Sequence, residues 1–167
     1  MRKSPFSSDL LGLVLRRMIK LLPASKPIYT RLQREDRWYR MRSVNIRVVD
    51  CGSSNVVEQE IQALFNPVYD AERLGFRLVA SPRHADLLLI TGPIALNMQA
   101  ALIAAFRAMP EPRRVITIGD DIGEESVFND SYAVVPLPHE IRTARIAHIP
   151  GDPPSPEQIL RSLMRVL

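Results

Sequence analysis

Residues 45–167 alternate short, nearly continuous apolar runs with stretches of helical periodicity, and this alternation constrains the fold more than any other feature. Residues 45–51 (NIRVVDC), 76–79, 86–91 (DLLLIT), 114–119 (RVITIG) and 145–149 (RIAHI) read as strands. Residues 58–65, 94–109 and 156–167 read as helices. In the second of these, Ile94, Met98, Ala101, Leu102, Ala105 and Met109 share a face, and in the third Ser155 is the cap with Pro156 at the first helical position. Strands that are apolar throughout belong to a parallel sheet with helices on both faces. The pattern predicts an α/β fold, a three-layer sandwich around a mostly parallel, flavodoxin-like sheet, preceded by a helical basic N-terminal arm.

Charge divides the chain into two parts, an arm over residues 1–44 and an α/β domain over residues 45–167. Residues 1–47 hold 12 of the 22 Lys and Arg against three acids, a net +9. Residues 48–167 hold the other 10 bases against 15 acids, a net −5. Residues 8–22 (SDLLGLVLRRMIKLL) place a broad apolar arc opposite Arg16, Arg17 and Lys20, with Pro23 ending the pattern. Such a helix lies in a membrane interface or docks in a hydrophobic groove of a partner protein. The arginines spaced through residues 31–42 fit an extended arm on partner subunits, and no nucleic-acid recognition module surrounds them. No apolar run reaches the roughly 18–20 residues that cross a bilayer.

In a sheet of this kind the functional loops lie beyond the carboxyl ends of the strands. Residues 51–57, 91–93, 119–125 and 150–154 occupy those places. None is a P-loop or a dinucleotide-binding glycine loop. His84, His139 and His148 have no metal-ligand spacing, and Cys51 reads as a small buried apolar residue with no identifiable base beside it.

These loops carry a recognisable set of segments. They are DCGSSN at 50–55, Glu58-x-Glu60, YDAERLG at 69–75, SPRHADLLLITGP at 81–93, MPEPRRVITIGD at 109–120, VFNDSY at 127–132 and IPGDPPSPE at 149–157. In order and spacing they resemble the small subunit of membrane-bound, energy-converting NiFe hydrogenases and of formate hydrogenlyase. They are also similar to the homologous cluster-bearing subunit of NADH:quinone oxidoreductase (complex I). The resemblance implies a 4Fe–4S cluster on four loop cysteines, at positions that here carry Ser54, Val57, Asp121 and Asp152. It further implies a large hydrogenase-like partner, ion-translocating membrane subunits, and a peripheral place on the cytoplasmic face of the membrane.

All four cysteines are replaced. Iron–sulfur clusters take thiolates or occasionally histidine, and valine has no donor atom, so the expected cofactor is none. Asp120, Asp121, Glu124, Glu125 and Asp152 bring five carboxylates to one loop rim. They read as polar filling of a vacated pocket, with Asp121 and Asp152 pairing with Arg83 or a partner's arginine, rather than as an oxygen-ligand cation site. Glu58 and Glu60 stand beside the vacated site as a proton relay or as interface salt-bridge partners. The chain is expected to be a cluster-less subunit with a structural or ion-coupling role and no catalytic centre of its own. The alternative is the electron-transfer subunit of an active NADH:quinone oxidoreductase-like or hydrogenase-like enzyme.

Overall fold

A computed structural model describes residues 43–122 and 126–166. Residues 1–42 of the arm, together with Glu124 and Glu125, lie outside the described residues.

Five strands form one sheet: β1 (Val44–Asp50), β2 (Phe76–Leu78), β3 (Leu87–Thr91), β4 (Val115–Ile118) and β5 (Arg145–Ile149). Their order is β2-β1-β3-β4-β5, and every neighbouring pair is parallel. This is the flavodoxin-like order, in which the chain leaves β1 in one direction and resumes at β3 in the other. Every residue of β3 and β4 is buried, as their unbroken LLLIT and VITI runs require for strands covered on both faces.

Helices α1 (Val56–Ala63) and α4 (Pro156–Val166) cover one face. Their Val57, Ile61, Ile159, Leu160, Leu163 and Met164 pack on Ile46, Leu87, Leu89, Ile116 and Ile118. Helices α2 (Gln99–Ala108) and α3 (His139–Ala144) cover the other, where Leu102, Phe106 and Ile141 meet Val49, Leu88, Ile90 and Val115. Each such side chain removed from water contributes about 1.5–3 kcal/mol. The fold is therefore the predicted three-layer sandwich. Among the described residues, no helix is long and apolar enough to cross a membrane.

Three local expectations need correction. The helix expected over 94–109 begins only at Gln99. The backbone of residues 94–96 is engaged elsewhere: Ala95 N–H donates to the Cys51 carbonyl, Leu96 N–H to that of Ala133, and the Ile94 carbonyl accepts from Val135. The helix expected over 58–65 starts earlier, at Val56, directly after Asn55 in the left-handed region (φ 67°). Helix α3 was not expected, because six residues are too few to show a helical period. The cap of α4 is as expected, with Ser155 Oγ accepting from Gln158 N–H at 3.3 Å.

Candidate functional site

Loops from the carboxyl ends of β1, β3, β4 and β5 converge at one end of the sheet, where open α/β sheets carry their ligands. Asp50 closes β1: its Oδ1 accepts from Gly52 N–H and Ser53 N–H, each at 2.8 Å. Cys51 is wholly buried, and its thiol is pushed up to about 12 by burial and then by the charges of Asp50 and Glu58. A thiol held protonated and enclosed in the core is not poised as a nucleophile. Its place in the core is that of a small apolar residue, as the sequence suggested.

Glu58, in the first turn of α1, is buried and joins two loops. Its Oε2 accepts from Ser53 Oγ at 2.6 Å, and its Oε1 accepts a short hydrogen bond from Thr91 Oγ1. Ser53 Oγ in turn accepts from Asn55 N–H at 3.0 Å. One carboxylate thus clamps the β1 loop to the last residue of β3, and Thr91 is itself fully buried. Glu60 is not part of this network. It is half-buried and, among the described residues, forms no ion pair. The two acids that the sequence grouped together therefore have different surroundings.

The β4 and β5 loops are joined by Asp120, whose Oδ1 accepts from Gly151 N–H at 2.7 Å, and by Gly119 N–H donating to the Ile149 carbonyl at 3.0 Å. Val57 reaches the same point from α1: a Cβ built on Gly119 would stand 3.6 Å from Val57 Cγ2 and 3.8 Å from the Gly151 carbonyl. The Asp121 carboxyl is raised above its ordinary value by partial burial, then by the like charges of Asp152 and Asp120. Three of the four inferred ligand positions, Val57, Asp121 and Asp152, are thereby drawn to one place. Ser54 is exposed at the loop tip.

Of the two pairings expected for Asp121 and Asp152, with Arg83 or with a partner's arginine, the one with Arg83 does not form. Among the described residues Arg83 forms no ion pair, and the neighbours that act on Asp121 are acids. No group of three or more His, Cys, Asp or Glu among the described residues is arranged to hold a metal ion. The residues present do not fit an iron–sulfur cluster. Val57 offers an isopropyl group packed in the core, and Asp121 and Asp152 offer hard oxygens where a cluster needs thiolate sulfur. The histidines lie apart: His84 and His139 are exposed, and Thr117 Oγ1 lies 2.9 Å from His148 Nδ1. Burial, with Arg145 nearby, lowers the affinity of His148 for a proton.

The raised carboxyl sets a pH dependence. A carboxyl held above its unfolded value favours folding while protonated and loses that contribution as pH rises through the folded value. Asp121→Asn should therefore stabilise the fold at neutral pH, with the gain fading as pH falls below the ordinary 3.8. Urea midpoints of both proteins near neutrality and near pH 3 check this. An equal difference at both would rule out a titrating Asp121.

The hydroxyls of Ser53 and Thr91 were not singled out from sequence. The available signal was a threonine ending an otherwise apolar strand, where a buried hydroxyl needs an acceptor.

Residues 51–166 match the family model described as NADH ubiquinone oxidoreductase, 20 Kd subunit. Formate hydrogenlyase subunit 7 of Escherichia coli (strain K12) is 39% identical over 119 residues, which are 71% of this chain and 46% of that relative. The chain therefore spans about half the length of that relative. A probable membrane-bound hydrogenase subunit, mbhJ, of Pyrococcus furiosus is 41% identical over 120 residues, 71% of each chain. Among solved structures, a chain of the membrane-bound sulfane sulfur reductase, an archaeal respiratory membrane complex, superposes with a TM-score of 0.62. It is 27% identical, and the match covers 77% of this chain and 72% of that one.

Proposed function

The chain belongs to the family of the NADH ubiquinone oxidoreductase 20 kDa subunit, and on that premise we propose that it is a cluster-less subunit of a membrane-associated complex of the hydrogenase and complex I type. Its role in this reading is structural or ion-coupling: it joins a large hydrogenase-like subunit to ion-translocating membrane subunits on the cytoplasmic face. It carries no redox centre and no catalytic centre of its own.

The observation that carries the reading is Val57. It stands at an inferred ligand position and is 3% exposed in the core, beside Gly119 of the β4 loop. Protein groups tie the loops together here: Glu58 binds Ser53 and Thr91, and Asp120 binds Gly151. In this account Glu58 is a clamp that keeps the former ligand loops in place. Glu60, outside that network, serves contact with a partner.

Affinity purification of the full chain from detergent-solubilised membranes tests the assembly. The expected result is recovery with a large hydrogenase-like subunit and polytopic membrane proteins. Removing residues 1–44 should lower the membrane-bound fraction several-fold, since that segment carries the net positive charge and the apolar helical arc. A chain recovered alone from the soluble fraction would refute the proposal.

A further inference from the structure

Strand β5 ends the sheet on one side, and its two faces are held differently. Ile149 and, in part, Ala147 pack into the core with Ile159, Leu160 and Leu163 of α4. The alternate residues, Ile146 and His148, belong to the opposite face and stay exposed, Ile146 at 42%.

On that face a side-chain contact joins β5 to β4. His148 is the register partner of Thr117, whose Oγ1 lies 2.9 Å from His148 Nδ1. Thr117 is wholly buried, and among the described residues its hydroxyl has no other hydrogen-bond partner. A buried hydroxyl proton needs an acceptor. The hydroxyl can donate to Nδ1 only if Nδ1 carries no proton, which makes the ring neutral with its proton on Nε2. The next ties along the two strands are Gly119 N–H to the Ile149 carbonyl and Gly151 N–H to Asp120. The Thr117–His148 pair therefore stands at the base of the junction that draws the β4 and β5 loops together.

We propose that Thr117 and His148 form an acid-released latch between β4 and β5. Neutral His148 accepts from the buried hydroxyl and fastens the edge strand. The protonated ring cannot accept at Nδ1, so the bond breaks and the hydroxyl turns to water at a loosened edge. The groups around the ring set the direction of the response. Burial, then the charge of Arg145 on the same strand, disfavour the protonated ring, and Asp120 of the β4 loop and the Thr117 backbone oppose them without reversing the sign. His148 therefore takes up its proton below the ordinary 6.5. A histidine so lowered supports the fold above that value and withdraws its support as pH falls through the folded value.

Nitrogen-15 NMR of the His148 ring in the full chain, with amide hydrogen exchange read as protection factors, tests the latch. At neutral pH the expected tautomer carries its proton on Nε2. From neutrality to about pH 5, the range in which a histidine changes charge, the Gly119 amide should lose about two- to tenfold of its protection, the effect of one hydrogen bond. Leu89, in the central strand, should keep its own protection. His148→Asn retains an acceptor that takes up no proton in this range, so Gly119 protection should then be constant. Thr117→Val removes the hydroxyl and should move the His148 titration back toward 6.5, with most of the pH dependence lost. Thr117→Ser should preserve both.

A ring proton on Nδ1 at neutral pH would overturn the latch. So would Gly119 protection that acid leaves unchanged, or an equal loss at Leu89, which would mean that the whole sheet and not its edge responds. These readings come from the unsubstituted chain and stand without any variant. A His148 titration that does not move in Thr117→Val would show that the hydroxyl does not hold the ring, and would overturn the latch as well.

Discussion

Gly92→Ala should cost about 2–5 kcal/mol of folding stability, from overpacking together with a left-handed alanine. A Cβ at this position would stand 2.4 Å from the Ser53 nitrogen, 2.5 Å from its Cα and 2.7 Å from its Cβ. The obstacle is backbone and cannot move as a side-chain tip would. The position also has φ 69°, which alanine adopts only with strain. Relief would push Ser53 outward, and Ser53 is one of the two hydroxyls on Glu58, so the clamp would open as well. Gly119→Ala is the internal comparison. Its φ is 100°, but the nearest atoms to a new Cβ are 3.6 and 3.8 Å away, so it bears conformational strain without a clash. Urea unfolding of the two variants should rank Gly92→Ala as clearly the more damaging. The reverse order would show that the β1 and β3 loops do not meet as described.

Glu58→Ala should cost about 2–4 kcal/mol, from two lost hydrogen bonds, one of them on a buried hydroxyl, and the space vacated by the side chain. Thr91 is fully buried, so its hydroxyl cannot turn to water for a substitute partner. Glu58→Gln keeps the length of the side chain and one carbonyl acceptor. The second hydroxyl can rotate to accept from the amide, so this variant should lose only about 1 kcal/mol. Thermal unfolding that separates the two variants would support a clamp. Near-identical wild-type stability in both would mean that Glu58 holds nothing in place.

The sheet was legible because β3 and β4 are apolar except for Thr91 and Thr117, the near-continuous pattern of strands covered on both faces. Their order also put the four loops at one end. The start of α2 was not legible. Residues 94–98 carry helical periodicity, yet backbone groups of residues 94–96 are committed to Cys51 and to residues 133–135, and no local pattern reports such distant bonds. The convergence of Val57, Asp121 and Asp152 followed from the resemblance. The separation of Glu58 from Glu60 did not, because two carboxylates two residues apart on a helix look alike until burial distinguishes them. The Arg83 pairing failed for a similar reason: opposite charges in loop segments suggest contact, whereas Asp121 has acids as its nearest influences.

A cluster-less subunit holds no iron. The direct measurement is iron and acid-labile sulfide on the full chain, purified without oxygen and then incubated with ferrous iron and sulfide, with absorbance followed in the region near 400 nm where thiolate-bound clusters absorb. No stoichiometric iron or sulfide is expected after desalting, and no such band, because Ser54, Val57, Asp121 and Asp152 supply no thiolate. About four iron atoms and four sulfides per chain, with that absorbance, would contradict it.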